Sequence, residues 1–272
     1  MSLSAAAYTQ GERFQLEKRR LFAKAWLPFC AAGQIAAAGQ FVNHSIGGWP
    51  IFAIRGADGT ARAFRNLCRH QGMPVVEQPA GHCDRLRCRY HGWTYDHTGT
   101  LVEAPPLVAP ADPGAPMHHL DALTALEADG MVLVRGRGVD DAPAPEFGIG
   151  DTAYLAAVTT DIDANWKAAI EALLAGAVWR LVWPIALVGE FDAMRVVRQI
   201  VPRSFSRTRL VDLLFGARDA DPTAAVASAR QPAEHAKLAA QALQARRAAG
   251  DESTDAPAVT AFHAQLVAVC GA

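Results

Sequence analysis

The stretch Asn66-Leu67-Cys68-Arg69-His70-Gln71-Gly72 is answered by Cys88-Arg89-Tyr90-His91-Gly92-Trp93-Thr94-Tyr95-Asp96, so two Cys/His pairs, Cys-x-His and Cys-x-x-His, stand with seventeen residues between His70 and Cys88. Each half supplies one thiolate and one imidazole. That is the ligand demand of a two-iron, two-sulfide centre in which one iron takes two thiolates and the other two imidazoles. Gly72 and Gly92 follow the two pairs; a residue without a side chain lets the backbone come close to a cluster and turn its N–H groups toward it. A tetrahedral zinc ion is the competing use of two Cys and two His, although zinc sites usually space each pair by two or more residues, and Cys-x-His is tighter. The third reading makes these ordinary buried thiols and satisfied imidazoles, but packing rarely sets four such side chains on two Gly-containing turns.

The rest of the composition narrows the class of protein. With 272 residues, 51% hydrophobic and 19% charged, the chain can bury a sizeable core as one large domain or two ordinary ones. A formal net charge of −1 leaves no basic footprint for nucleic acid. The apolar run 181–188 follows Arg180 and is too short to span a membrane. Glu12, Glu17, Lys18, Arg19 and Arg20 interrupt the N-terminal segment, so no secretory h-region is expected there. A cytoplasmic protein with reduced thiols is expected, and Cys30, Cys83 and Cys270 show no pairing pattern.

Along the chain, Phe14, Leu16, Leu21, Phe22 and Trp26 among charged positions predict an amphipathic N-terminal helix within residues 1–26. Short apolar runs at 40–42, 50–54, 61–66, 94–95 and 131–134, separated by Gly, Asn and Asp turns, predict an all-β domain over 27–135 with the Cys/His pairs on its loop tips. Residues 136–150 are rich in Gly, Pro and Asp and read as a linker. Residues 151–272 open with a strand at 156–162, then a helix capped by Asp163 and running through Val178. Strands at 179–190, 193–202 and 208–215 and two helices, 222–249 and 257–270, complete an α+β architecture.

The two motif segments, ending in Gly99, resemble the Rieske domain of ring-hydroxylating, non-haem iron oxygenase alpha subunits. Respiratory Rieske proteins are similar but add one Cys to each loop, and here Gly72 and Met73 stand in the first loop instead. The resemblance implies a Rieske 2Fe-2S cluster with Cys68 and Cys88 on the buried iron and His70 and His91 on the outer one, at a potential between about −150 and +300 mV. It also implies that 151–272 is a shortened helix-grip domain, an antiparallel sheet with a C-terminal helix.

In that family the helix opening with Asn-Trp-Lys continues through Glu-Asn to an acidic residue, a His, and a second His just before a Pro; the two His and a later carboxylate hold a mononuclear iron as a facial triad. Here Asn165, Trp166, Lys167 and Glu171 keep the register, but the Asn falls on Ala172, the acid on Ala175, the first His on Val178 and the second on Trp183, with Pro184 in place. Beyond residue 119 the histidines are His235 and His263, both read as helix-surface residues. No mononuclear iron is expected. The acid that in the family bridges a neighbouring subunit's Rieske His to the iron is missing too.

These features give a Rieske electron-transfer subunit of a heteromeric oxygenase, passing electrons from a ferredoxin or flavin reductase to the mononuclear iron of a catalytic alpha subunit, in a trimeric or hexameric assembly. Two alternatives stand beside it: a self-contained mono- or dioxygenase with unrecognised iron ligands, and a redox-sensing or scaffolding subunit. Arg69 and Arg89 are candidates for favouring the reduced cluster or docking an acidic ferredoxin, and Lys167 with Glu171 for an ion pair on one helix.

Overall fold

The computed structural model describes residues 2–136, 143–176, 178–253 and 256–271. The chain folds as two compact units, Phe29–Ala144 and a second made of Met1–Pro28 with Pro145–Ala272. Part of the expected 136–150 linker, residues 137–142, lies outside the described residues.

The first unit is all-β. Its strands are β1 (Leu27–Ala31), β2 (Gln40–Ile46), β3 (Trp49–Arg55), β4 (Ala61–Arg65), β5 (Ala80–His82), β6 (Leu86–Arg87), β7 (Thr94–Tyr95), β8 (Leu101–Glu103), β9 (Ala122–Ala128) and β10 (Met131–Arg135). A seven-stranded sheet runs in the order β1-β10-β9-β4-β3-β2-β5, and β6-β7-β8 form a separate three-stranded sheet. In the antiparallel β3/β4 pair Phe52 stands opposite Phe64, their ring centroids 5.4 Å apart. Around them a core of Phe41, Ile54, Leu86, Trp93, Tyr95 and Leu101 also encloses Cys68 and Cys88. The turn after β7 is closed by Asp96, whose Oδ1 accepts from the N–H groups of Thr98 and Thr100. It passes so close to the core that a Cβ on Gly99, at φ +85°, would lie 2.4 Å from Phe64.

The second unit carries a five-stranded sheet in the order β11-β15-β14-β13-β12, from β11 (Ala153–Ile162), β12 (Arg180–Val182), β13 (Ala186–Phe191), β14 (Met194–Pro202) and β15 (Thr208–Gly216). The single strand expected over 179–190 is two strands, because a turn at 183–185 folds β12 back onto β13. Its helices are α1 (Ala6–Thr9), α2 (Gly11–Glu17), α3 (Trp166–Leu174), α4 (Pro222–Ala248) and α5 (Pro257–Cys270). The N-terminal segment predicted as one helix changes to a π-helical turn over Lys18–Phe22, which keeps Leu21 and Phe22 buried. The cap of α3 is Asn165, not Asp163: the Asn165 side chain accepts from the Lys167 N–H at 3.0 Å. The helix also stops short of Val178, just before Gly176, which costs helix stability. On α4 the buried face is a stripe of alanines, 225, 229, 233, 236 and 240, followed by Leu243 and Arg247. Small residues at three- and four-residue spacing let it pack closely on α3 and β11.

Candidate metal centre

The two Cys/His loops are built alike. In the first, the Cys68 N–H donates to Met73 O at 2.7 Å and the Gly72 N–H to Cys68 O at 2.8 Å; in the second, the Cys88 N–H donates to Trp93 O at 2.9 Å and the Gly92 N–H to Cys88 O at 3.0 Å. Each loop closes with a glycine four residues after its cysteine, at φ +74° and +72°, a conformation that favours glycine. Asn66 fixes where the first loop returns. Its Oδ1 accepts from Val75 and Val76 N–H, while its Nδ2 donates to Val76 O and Asn43 Oδ1.

These loops bring the four predicted ligands together. Cys68 and Cys88 are buried and interact electrostatically, whereas His70 and His91 are half-buried with ring centroids 4.6 Å apart, edge to face. Burial is the largest influence on the Cys68 thiol and pushes its pKa up; the Tyr95 hydroxyl opposes it. Tyr95 is itself shifted well above the ordinary phenol range, first by burial and then by Cys68. Its hydroxyl lies 3.2 Å from Cys68 Sγ and accepts the Arg69 N–H at 3.1 Å. A thiolate can only accept, so with Cys68 as a metal ligand the phenol would be the donor of this bond.

The residues present fit a two-iron centre. His70 Nδ1 is buried and has no hydrogen-bond partner among the described residues, although a buried ring nitrogen is normally satisfied. Bonding to a metal would satisfy it. Among the described residues no three His, Cys, Asp or Glu side chains converge on one ion, and a Rieske-type centre asks only two protein ligands of each iron.

Several surrounding contacts were not legible in the motif. The Trp93 ring stacks on His70 at 5.1 Å, and its indole N–H donates to Val108 O at 2.9 Å. Arg69 donates through Nε to Met117 O. The segment after β8 is therefore strapped across the second loop, with His118 edge-on to Trp93 at 5.6 Å. The signal was the Pro-rich run 105–116 beside the motif, a shape that carries no pairing code. Arg89 is paired with Glu77 at 2.6 Å on the surface, with its side chain 69% exposed. His82 is exposed, and His97 Nε2 bonds to Cys83 O.

In the second unit the residues of the iron-site register do other work. Ala175 and Val178 are exposed, and the Trp183 ring packs on Phe262. The expected Lys167–Glu171 pair is not formed. Lys167 Nζ donates to Glu17 at 2.6 Å, and the Trp166 indole N–H donates to the other oxygen of that carboxylate. Glu171 accepts from Arg247 Nε and Nη2 at 3.0 and 2.7 Å and from the Tyr8 hydroxyl at 2.5 Å. His263 Nε2 stands 2.9 Å from the same carboxylate. Far from being a surface residue, His263 is fully buried; His235 is exposed.

Residues 25–120 match the Rieske 2Fe-2S domain family. Over this region the chain is homologous to Rieske oxygenase alpha subunits. It is 37% identical over 98 residues to chlorobenzene dioxygenase subunit alpha of Cupriavidus sp. (strain PS12), an overlap covering 36% of this chain and 22% of that one. With the glycine betaine monooxygenase oxygenase subunit of Chromohalobacter salexigens it shares 35% identity over 184 residues, 66% of this chain and 40% of the relative. The matched Rieske homologues are thus covered over well under half their length. Among solved structures, the quaternary ammonium Rieske monooxygenase CntA superposes with a TM-score of 0.83 at 16% identity, covering 98% of this chain and 95% of that one. Naphthalene 1,2-dioxygenase gives 0.78 at 15% identity, covering 100% and 93%. At such identities the likeness is one of fold, and it extends the Rieske oxygenase architecture to the second, α+β unit.

Proposed function

We propose that the protein is an electron-transfer component of a heteromeric Rieske oxygenase: a subunit that holds a 2Fe-2S cluster on Cys68, His70, Cys88 and His91 and passes electrons to the mononuclear iron of a catalytic alpha subunit. When bound, the cluster takes up and releases one electron at a time. Cys68 and Cys88 would hold it from the buried side and His70 and His91 from the side nearer solvent. Donating to Cys68 Sγ as a thiolate ligand, the Tyr95 hydroxyl would favour the more negative, reduced state. Trp93 fixes the plane of the His70 ring.

The observation that carries this reading is the occupancy of the iron-site register. Ala175, Val178 and Trp183 offer no metal ligand, and the retained Asn165, Trp166, Lys167 and Glu171 are committed to holding the N-terminal segment and α4 in place. The buried face of α4, with its alanines, Leu243 and Arg247, supplies no carboxylate either. A catalytic alpha subunit supplies the oxygen chemistry, a ferredoxin or flavin reductase supplies the electrons, and the assembly is a trimer or hexamer in the cytoplasm.

Iron and acid-labile sulfide per chain, with electron paramagnetic resonance of the reduced protein, test the reading. Two irons with a Rieske signal are expected. A third, non-cluster iron together with oxygen uptake in the absence of any other subunit would overturn it.

A further inference from the structure

An electron carrier needs a route between its surface and its metal centre, and one His ligand has a continuous set of ring contacts leading outward. From His70, the Trp93 indole is stacked at 5.1 Å with an interplanar angle of 18°. On Trp93 rests the His118 imidazole, at 5.6 Å and 79°. Trp93 is 3% exposed, so its ring is shielded from water, while the neighbouring Met117 is 67% exposed. His118 itself is half-buried, so the route runs from a partly exposed imidazole beside Met117 to a candidate iron ligand within two ring contacts.

Both ring partners are held, rather than merely adjacent. The indole N–H of Trp93 is anchored on Val108 O at 2.9 Å, and the Arg69 guanidinium donates to Met117 O at 3.1 Å. These two bonds attach the strap to the second and first cluster loops respectively. The Pro116–His118 turn is a single 3-10 turn, and the His118 N–H donates to Ala115 O at 2.9 Å, which sets the imidazole over Trp93. Burying an indole against an imidazole on one face and a second imidazole on its edge also has packing value. Packing alone, however, does not require that the stack reach the surface beside an exposed methionine.

We propose that His118 and Trp93 form the electron port of this protein, the route by which a one-electron carrier delivers its electron to His70 and the cluster behind it. This rests on the Rieske reading of the site. In the step, the carrier is oxidised by one electron and the cluster reduced by one; no bond is made or broken and no proton need move. His91 stands edge-on to His70 and is the ligand left for passing the electron onward.

The test uses the full chain. Met117→Cys is labelled with a ruthenium polypyridyl photodonor, and the rate of cluster reduction after a flash is followed at the visible absorption of the cluster. His118→Ala in that background is expected to slow injection about tenfold. Trp93→Leu slows it further, and Trp93→Phe, which keeps a ring, restores part of the rate. A second label of the same kind at the exposed His82→Cys serves as the control; injection from it is expected to be unchanged by His118→Ala. Because His118 lies outside the ligand set, its variant should keep the parent's reduction potential and resonance line shape, which a merely structural disturbance of the cluster would move. Equal rates in parent and His118→Ala from the Met117 position overturn the port and leave the Rieske assignment standing. Failure of the parent to bind two irons and two sulfides overturns both.

Discussion

The Tyr95 hydroxyl sits 3.2 Å from Cys68 Sγ while accepting the backbone N–H of Arg69 at 3.1 Å. That arrangement joins the two loops: Tyr95 lies on the strand leaving the second Cys/His pair, and its target lies in the first. A hydrogen bond to a ligand sulfur is worth more when the metal centre carries the extra negative charge, so it raises the reduction potential.

Tyr95→Phe is accordingly expected to lower the potential. A single hydrogen bond of about 0.5–1.5 kcal/mol corresponds to roughly 20–65 mV for a one-electron couple. A redox titration followed by resonance of the reduced protein measures it, with iron content as the check that the cluster is retained. An upward shift would mean that the phenol favours the oxidised state.

Cys88→Ser replaces a buried thiolate with a hydroxyl that binds iron poorly, and the cluster should be lost, with iron and sulfide falling together. Binding of a metal centre is coupled to folding, so the first unit should also lose protection in amide exchange around Cys68 and Trp93. Full cluster content in this variant would remove Cys88 from the ligand set.

Gly99→Ala tests how tightly the turn beneath the cluster domain is laid on its core. At φ +85° a side chain is strained, and the new Cβ would meet Phe64 at 2.4 Å, a contact that requires movement. A loss of about 1–3 kcal/mol is expected in urea unfolding. Phe64→Leu in the same chain should recover part of it by making room.

The pairing of the two loops was legible because a Cys/His pair before a glycine occurs twice, and Cys68, His70, Cys88 and His91 do converge. The α+β division was legible for a related reason, since alternating apolar runs and helical periodicity are local signals. What escaped is non-local. Nothing beside Glu171 in the sequence announces Arg247, Tyr8 and His263 as its partners, and α3 periodicity pointed to Lys167, which turns to Glu17. His263 reads as a helix-surface residue until α5 is placed against α3. The turn at 183–185 that breaks one expected strand into β12 and β13 follows a rule that was available, Pro184 in an apolar run.

The Asp161 carboxylate is held below its ordinary value chiefly by hydrogen bonds from Arg209, against a smaller push upward from burial, with contacts of 2.8 and 2.9 Å. A depressed folded-state value means that the unfolded chain takes up the proton first as the pH falls. Stabilisation by this pair is thus complete at neutral pH and is lost as the pH drops below the ordinary 3.8 and through the folded value. With the Asp161 side chain 66% exposed, solvent screening keeps the contribution under about 1 kcal/mol. Urea unfolding of Asp161→Asn and the parent should differ at pH 7, and the gap should narrow as the pH falls below 3.8. A gap unchanged at low pH would assign the effect to packing.

The Glu171–Arg247 pair is of a different order because both side chains are buried, 1% and 3% exposed. Glu171→Ala strips Arg247 of its counter-charge and leaves Tyr8 and His263 without their shared acceptor. Removing one partner of a buried pair costs about 3–5 kcal/mol, most of it from the charge left behind. Glu171→Met combined with Arg247→Met removes both charges at similar volume and should be less destabilised than Glu171→Ala alone. Unfolding in urea followed by tryptophan fluorescence measures both, with cluster resonance as an independent signal from the first unit. A double variant worse than the single one would show that the network, rather than the isolated charge, holds α4 and the N-terminal segment to α3. A single variant within about 1 kcal/mol of the parent, well short of the buried-pair cost, would instead leave Asn165, Trp166 and Lys167 to hold that segment without Glu171, and would reopen the question of why the acid is present in a unit whose iron-site register carries Ala175, Val178 and Trp183.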